Sequence, residues 1–431
     1  MLAGSTAVIH PATTVRGLVR IPGDKSISHR YAMLAAIARG SSRFHNFSAA
    51  RDCASTLDCM RDLGANWRRA DDGAIEVTGI GPALHAPSAP LDCGNSGSTM
   101  RMLAGILAGQ PFTSELFGDE SLSRRPMARI IKPLSEMGAN IVSSEGGRPP
   151  LKIHGGKLRA IHYKPEVASA QVKSCVLFAG LFADGETIVE EPIRTRDHGE
   201  LALQAFGAEV TRRGNTSGIH GGQSLTAIEA HIPGDLSSAA FFLCAAALFP
   251  GSQVSLPGIL MNPTRARLLD ILIGMGLKIS IAHVEQHQGE MFGAIEARGA
   301  TWKGGTISGA DTAALIDEIP VLAAAAPYTE DGLEVRDGKE LRVKESDRIA
   351  AVATNLRKMG AEVDERPDGI RILGRQKLHG TDLDSFEDHR IAMAFAVAAL
   401  RAEGETRIFN ADAAGVSYPR FFEDLQTITA G

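Results

Sequence analysis

Six segments of this 431-residue chain repeat one pattern, a polar start followed by a helix that carries almost no charge. They are SISHRYAMLAAIA from Ser26, SGSTMRMLAGILAG from Ser96, SAQVKSCVLFAGLFA from Ser169, SSAAFFLCAAALF from Ser237, DEIPVLAAAA from Asp317 and DHRIAMAFAVAALRA from Asp388. Successive copies are 70, 73, 68, 80 and 71 residues apart. A helix that is apolar on nearly every side has no face to offer water, so each copy is expected inside a core. A fixed period of this kind implies one supersecondary unit used repeatedly.

A second element alternates with the first. Amphipathic helices end at Gly64, Gly138, Gly207, Gly276 and Gly360, where glycine suits a left-handed terminus. Alternating segments such as Glu76-Val77-Thr78 and Ile370-Arg371-Ile372 follow and read as strands and hairpins. The last helix, from Pro419, runs to the end at Gly431 without such strands. The first twenty residues, where AVIH and RGLVRI flank a turn, are expected to supply them.

Ile-Pro-Gly-Asp occurs at 21–24 and again at 232–235, each time just before an apolar helix. Three repeats lie between. Two strand crossings between two halves explain the duplication: residues 1–24 with 233–431 form one discontinuous domain, and 25–232 an inserted one. The expected class is α/β (α+β), with a ligand cleft between the halves.

The net charge of −5 gives no reason to expect nucleic acid or an acidic membrane as partner. The start MLAGSTAVIH lacks a basic segment followed by an apolar one, and no stretch approaches the roughly 20 apolar residues of a membrane span. Cys53, Cys59, Cys93, Cys175 and Cys244 form no CxxC pair and read as small buried thiols of a cytoplasmic protein. His154, His162, His283 and His287 lack metal-ligand spacing, so no metal is expected.

Helix N-termini present free N–H groups and partial positive charge, so the polar starts are where anions would bind. GDKSISHR places Lys25, Ser26 and Arg30 at one of them. GNSGSTMR offers Asn95 and Gly97, and SLSRRPM offers Arg124 and Arg125. ASAQVKS brings Ser169, Ala170 and Gln171, and TRDH brings Arg196. In RVKESDRI, Lys344 and Arg348 are four apart and would share a helix face, with Glu345 beside them. EDHRIAMA puts His389 and Arg390 in the first turn of a buried helix, where cations oppose the dipole unless an anion compensates. Asp317 and Glu318 could simply cap their helix, or supply a base near these cations.

In order and over nearly the whole chain, these motifs resemble those of the 3-phosphoshikimate 1-carboxyvinyltransferases, the 5-enolpyruvylshikimate-3-phosphate synthases. The resemblance implies two domains of three βαβαββ repeats each, an inside-out α/β barrel arrangement closing on a hinge. It implies transfer of the enolpyruvyl group of phosphoenolpyruvate to the 5-hydroxyl of shikimate 3-phosphate, with release of phosphate, on the route to chorismate and the aromatic amino acids. Shikimate 3-phosphate would be held by Lys25, Ser26, Arg30, Ser169, Ala170, Gln171, Arg196, Asp317 and Lys344. Phosphoenolpyruvate would be held by Lys25, Asn95, Gly97, Arg125, Gln171, Arg348 and Arg390. Asp317 is the candidate base for the hydroxyl; Glu345, with Lys25, is the candidate for proton exchange at C3, and His389 completes the catalytic set. No cofactor or metal is required, because the enol phosphate is already activated. A cytoplasmic monomer is expected.

The chain departs from the pattern in two places. Gly415-Val416-Ser417-Tyr418 stands where some members carry a lysine, so one phosphoenolpyruvate contact is absent or replaced. Ser169-Ala170-Gln171 stands where others have two serines, which removes a hydroxyl. Gly97 is retained where a bulkier residue would crowd the phosphoenolpyruvate pocket.

Two other readings share some of these features. The sister enzyme that uses UDP-N-acetylglucosamine carries Lys-Asn near its start and a loop cysteine. Here Ser26 follows Lys25, and no cysteine lies between Cys93 and Cys175. A non-catalytic phosphometabolite-binding protein would keep the cations and lose Asp317, Glu345 and His389, all of which are present.

Overall fold

The computed structural model describes residues 5–429. Positions 1–4 and 430–431, the outer ends of the expected discontinuous domain, lie outside the described residues. Two compact units are present. One consists of Gly23–Ile232 with Gln286–Glu290; the other consists of the chain up to Pro22, Pro233–Glu285, and the chain from Met291 on.

The inserted unit contains three four-stranded sheets with the same internal order. In the first, Glu229–His231 pairs parallel with Arg39–His45, which pairs antiparallel with Ile75–Ile80, flanked by Asn66–Arg69. The second runs Leu91–Asp92, Thr113–Phe117, Arg148–His154, Asn140–Ser144. The third runs His162–Tyr163, Glu186–Glu190, Thr216–His220, Val210–Arg213. A parallel pair needs a long crossover. Within the second and third sheets it is the apolar helix: Gly97–Ala108 and Ala170–Gly180.

The discontinuous unit holds two more such sheets and a three-stranded one. Gly305–Ile307, Leu333–Val335, Gly369–Ile372 and Val363–Arg366 make one. Arg16–Leu18 pairs parallel with Gln253–Leu260 in another, beside Glu290–Arg298 and Lys278–His287. The three-stranded sheet is Asp382–Asp384, Thr406–Phe409 and Thr6–Ile9. The first twenty residues are therefore divided. Thr6–Ile9 joins the sixth repeat as expected, but Arg16–Leu18 opens the fourth. Each strand goes where a parallel or antiparallel edge is still unfilled, and the fourth repeat lacks its opening strand because the inserted unit separates it from its helix.

The six apolar helices are buried. All thirteen residues of Leu236–Leu248 are inside, as are all eleven of His389–Ala399. Burying a side chain such as Phe242 or Phe395, both at 0% exposure, contributes about 1.5–3 kcal/mol. Where Gly97–Ala108 packs on Ala170–Gly180, a Cβ on Gly105 would lie 2.1 Å from the Cys175 carbonyl oxygen, so only glycine permits this approach. The five amphipathic helices end at glycines with φ of +104° (Gly64), +109° (Gly138), +91° (Gly207), +107° (Gly276) and +93° (Gly360).

Both Ile-Pro-Gly-Asp segments end in an N-cap. Asp24 accepts from the Ile27 amide at 2.9 Å, and Asp235 accepts from Ser237 and Ser238 at 2.7 and 3.2 Å. A carboxylate there satisfies helix amides that burial would otherwise leave without partners. All five cysteines are buried and free. Among the described residues no helix is long and apolar enough to cross a membrane.

Candidate active site

In the inserted unit, three apolar helices bring their starts together through side chains from one another. Arg30, on Lys25–Ile37, donates to Ser174 Oγ through Nε at 3.1 Å and Nη2 at 2.9 Å, and through Nη2 to the Ala170 carbonyl at 3.4 Å. Its Nη1 donates to the Ser26 carbonyl at 2.9 Å. Arg101 Nη1 donates to Gln171 Oε1 at 2.8 Å, and Gln171 Nε2 donates to Ser98 Oγ at 2.9 Å. Lys25 Nζ lies 2.9 Å from Asp52 Oδ2. Burial pulls Arg30 down to about 10, against Glu200 and Asp24, with Arg196 adding to the fall. It remains a cation at neutral pH.

The loop before Gly97 is tied to a second arginine. Arg125 Nη2 donates to Asn95 Oδ1 at 2.7 Å and to Ser121 Oγ at 3.1 Å, while Asn95 donates to Asp119 at 2.8 Å. A Cβ on Gly97 would meet Arg101 Nη1 at 2.8 Å and Arg125 Nη1 at 3.4 Å. The adjacent arginines differ: Arg125 is buried, whereas Arg124 is exposed and pairs with Glu120.

The discontinuous unit carries the second cluster, centred on Asp317. Its carboxylate Oδ1 lies 3.6 Å from Lys344 Nζ, 3.5 Å from Arg348 Nη1 and 3.9 Å from Arg390 Nε. Arg390 Nη1 also donates to the Asp317 carbonyl at 2.7 Å. Arg348 is buried, and reaches Asp388 Oδ2 at 2.9 Å and Glu345 Oε2 at 2.7 Å. Burial alone would lower the Arg348 guanidinium, but Asp388, Glu345 and Asp317 raise it above its ordinary value. His389 is buried, its Nδ1 3.9 Å from Asp388 Oδ1.

The sequence matches the family model for EPSP synthase (3-phosphoshikimate 1-carboxyvinyltransferase) over residues 9–425. The chain belongs to this family. A 3-phosphoshikimate 1-carboxyvinyltransferase of Koribacter versatilis (strain Ellin345) is 61% identical over 420 residues, covering 97% of this chain and 98% of that one. One from Solibacter usitatus (strain Ellin6076) is 55% identical over 430 residues. A solved EPSP synthase from Acinetobacter baumannii superposes with a TM-score of 0.87 at 40% identity, covering 98% of each chain.

Two local expectations for this EPSP synthase family member need correction. Lys344 and Arg348 do not share a helix face. Asp347 caps the helix Arg348–Lys358 by accepting from Ala350 at 3.0 Å, and Lys344 lies outside it, just after the 3-10 turn Lys339–Val343. Both cations still converge on Asp317. The capping reading of Asp317 and Glu318 also fails: among the described residues no side chain makes a capping hydrogen bond to Ile319–Ala325. Glu318 is buried and bonds Ser237, with Arg265 3.8 Å away, which leaves Asp317 turned to the cations.

Asp388 supplies the anion that cations in a first helical turn require. It caps His389–Ala399 by accepting from the Arg390 amide at 2.9 Å. Sequence reasoning placed it as the polar start of a repeat and missed its pairing with Arg348, 40 residues away. Asp52 and Arg101 were also missed. Asp52 sits in the first turn of an ordinary amphipathic helix, and Arg101 had no signal beyond ending GNSGSTMR.

Proposed function

We infer that the two clusters serve the reaction of the family: transfer of the enolpyruvyl group of phosphoenolpyruvate to the 5-hydroxyl of shikimate 3-phosphate. The observation that carries the assignment of roles is the single carboxylate of Asp317 ringed by Lys344, Arg348 and Arg390. Cations in that number suit ligands bearing phosphate and carboxylate, and a carboxylate among them is the group able to take a proton.

Shikimate 3-phosphate is assigned to Lys25, Ser26, Arg30, Ser169, Ala170, Gln171, Arg196, Asp317 and Lys344. The helix start at Ala170 offers backbone amides for the phosphate, and Arg30 and Arg196 supply charge. Phosphoenolpyruvate is assigned to Lys25, Asn95, Gly97, Arg125, Gln171, Arg348 and Arg390. Asp317 accepts the 5-hydroxyl proton as that oxygen attacks C2. Glu345, held by Arg348, exchanges a proton at C3 with Lys25 as partner, and His389 supports the Asp388 end of the cluster. Loss of phosphate and of a C3 proton then restores the double bond. None of these steps needs a cofactor.

On the family resemblance we also propose the division into 1–24 with 233–431 and 25–232. Each domain is an inside-out barrel of three βαβαββ repeats closing on a hinge, in a cytoplasmic monomer.

The test is phosphate release from shikimate 3-phosphate plus phosphoenolpyruvate by wild type and by Lys25→Met and Lys344→Met, one variant from each unit. Release that needs both substrates and is suppressed in both variants supports the reading. Release with UDP-N-acetylglucosamine as acceptor instead, or binding without release, overturns it.

A further inference from the structure

Four side chains of the inserted unit form an unbroken hydrogen-bond chain between the helix start assigned to shikimate 3-phosphate and the loop assigned to phosphoenolpyruvate. His29 Nδ1 lies 2.7 Å from Thr56 Oγ1, which lies 2.6 Å from Thr99 Oγ1, which donates to Ser96 Oγ at 2.7 Å. All four residues are at 0% exposure. His29 precedes Arg30 on Lys25–Ile37. Ser96 caps Gly97–Ala108 and stands between Asn95 and Gly97. Thr56, on Arg51–Asp62, is one turn beyond Asp52, the partner of Lys25.

The chain has one direction. Each hydroxyl has a single proton to donate. Thr99 gives its proton to Ser96, so Thr56 gives its own to Thr99, and its 3.5 Å approach to the Asp52 carbonyl is the poorer alternative. His29 must then donate through Nδ1, which leaves Nε2 as a bare lone pair. Nε2 is buried and has no hydrogen-bond partner among the described residues. Burial first, then Lys25 and Arg30, hold the imidazole well below its usual range, so it stays neutral, in keeping with that tautomer. Hydroxyls in a dry interior are tolerated only in the arrangement that satisfies them all, so the chain accepts one register among three helices. Apolar side chains would pack there without that constraint.

We propose that Thr56 is a positioning residue that couples the Lys25 helix to the Asn95–Gly97 loop, so that the Lys25 end holds the phosphoenolpyruvate loop in register. This deepens the function inferred above and rests on its ligand assignments. The coupling runs from His29 through Thr56 and Thr99 to Ser96, and from there to Asn95 and the Arg125 guanidinium it holds.

The experiment measures steady-state phosphate release and direct shikimate 3-phosphate binding for Thr56→Val, Thr56→Ser and Thr99→Val. Thr56→Val raises KM for phosphoenolpyruvate about tenfold, and leaves shikimate 3-phosphate affinity and kcat within about twofold. Thr56→Ser restores the wild-type value. Thr99→Val breaks the same chain from the other side and shows the same split, and the double variant is no worse than either single one. Equal rises in both KM values, a wild-type KM for phosphoenolpyruvate in either valine variant, or additive effects in the double variant overturn the proposal. Failure of the underlying reading would show differently, as wild type that releases no phosphate.

Discussion

Arg348 and Asp388 form a buried ion pair, Nε to Oδ2 at 2.9 Å, with side-chain exposures of 2% and 0%. Burial pushes the Asp388 carboxyl up, but Arg348 outweighs it and the group titrates below its ordinary value. A depressed carboxyl contributes stability that is fully present above its unfolded value, near 3.9, and is lost as pH falls through the lower folded value. Breaking a buried pair by removing one partner costs about 3–5 kcal/mol. Asp388→Asn should therefore lower Tm by roughly 10 °C at pH 7. Its melting temperature should fall less than that of wild type between about pH 4 and pH 2. Parallel acid profiles in thermal melts would remove Asp388 from the pair's energetics.

Asp317, assigned both to shikimate 3-phosphate and to the proton transfer, is expected to matter far more for turnover than for affinity. Its carboxylate faces three cations, so Asp317→Ala leaves those charges available to anionic ligands. The variant should lose about 10²–10⁴-fold in kcat, the range of a general base, with KM for phosphoenolpyruvate within about twofold and KM for shikimate 3-phosphate raised only several-fold, about the worth of one hydrogen bond. A rise in KM at preserved kcat would leave Asp317 a binding group alone and remove it as the base.

The repeat was legible because it is written in local terms: a charge-free helix every seventy or so residues, and a glycine where each amphipathic helix stops. The candidate site residues were legible as residue types, most of them at helix starts. Long-range partners were not. Nothing near Glu318 announces that Ser237, 81 residues earlier, will take its carboxylate and leave Asp317 to the cations. Spacing of four between Lys344 and Arg348 suggested one face, but Asp347 caps the helix between them. Adjacent Arg124 and Arg125 look alike in sequence, and only the fold sends one to solvent and the other to Asn95.

Gly97 tests the packing of the loop. A methyl there would lie 2.8 Å from Arg101 Nη1 and 3.4 Å from Arg125 Nη1. Both atoms end flexible side chains, so the fold should survive while the guanidinium groups move. Gly97→Ala should raise KM for phosphoenolpyruvate about tenfold, a loss of one good charge-assisted contact, with Tm within about 2 °C of wild type. Steady-state kinetics with each substrate varied in turn would check this. Equal effects on both KM values would mean that the displaced arginines serve shikimate 3-phosphate as well.

Lys173 anchors the segment that carries Arg196. Its ammonium lies 2.8 Å from Glu191 Oε2 and 2.8 Å from Glu200 Oε1, all three side chains at 2% exposure. Glu191 also accepts from the Thr195 hydroxyl at 2.5 Å and amide at 3.3 Å, which fixes the residue before Arg196. Lys173→Met leaves two carboxylates buried without their cation, so a loss of about 3–5 kcal/mol is expected. Glu191→Gln is the milder probe. It keeps the shape, weakens the hold on Thr195, and should raise KM for shikimate 3-phosphate several-fold, about the worth of one hydrogen bond to a charged group, with KM for phosphoenolpyruvate unchanged. A destabilised Glu191→Gln with both KM values at wild type would mean that Arg196 is placed without help from the Lys173 network.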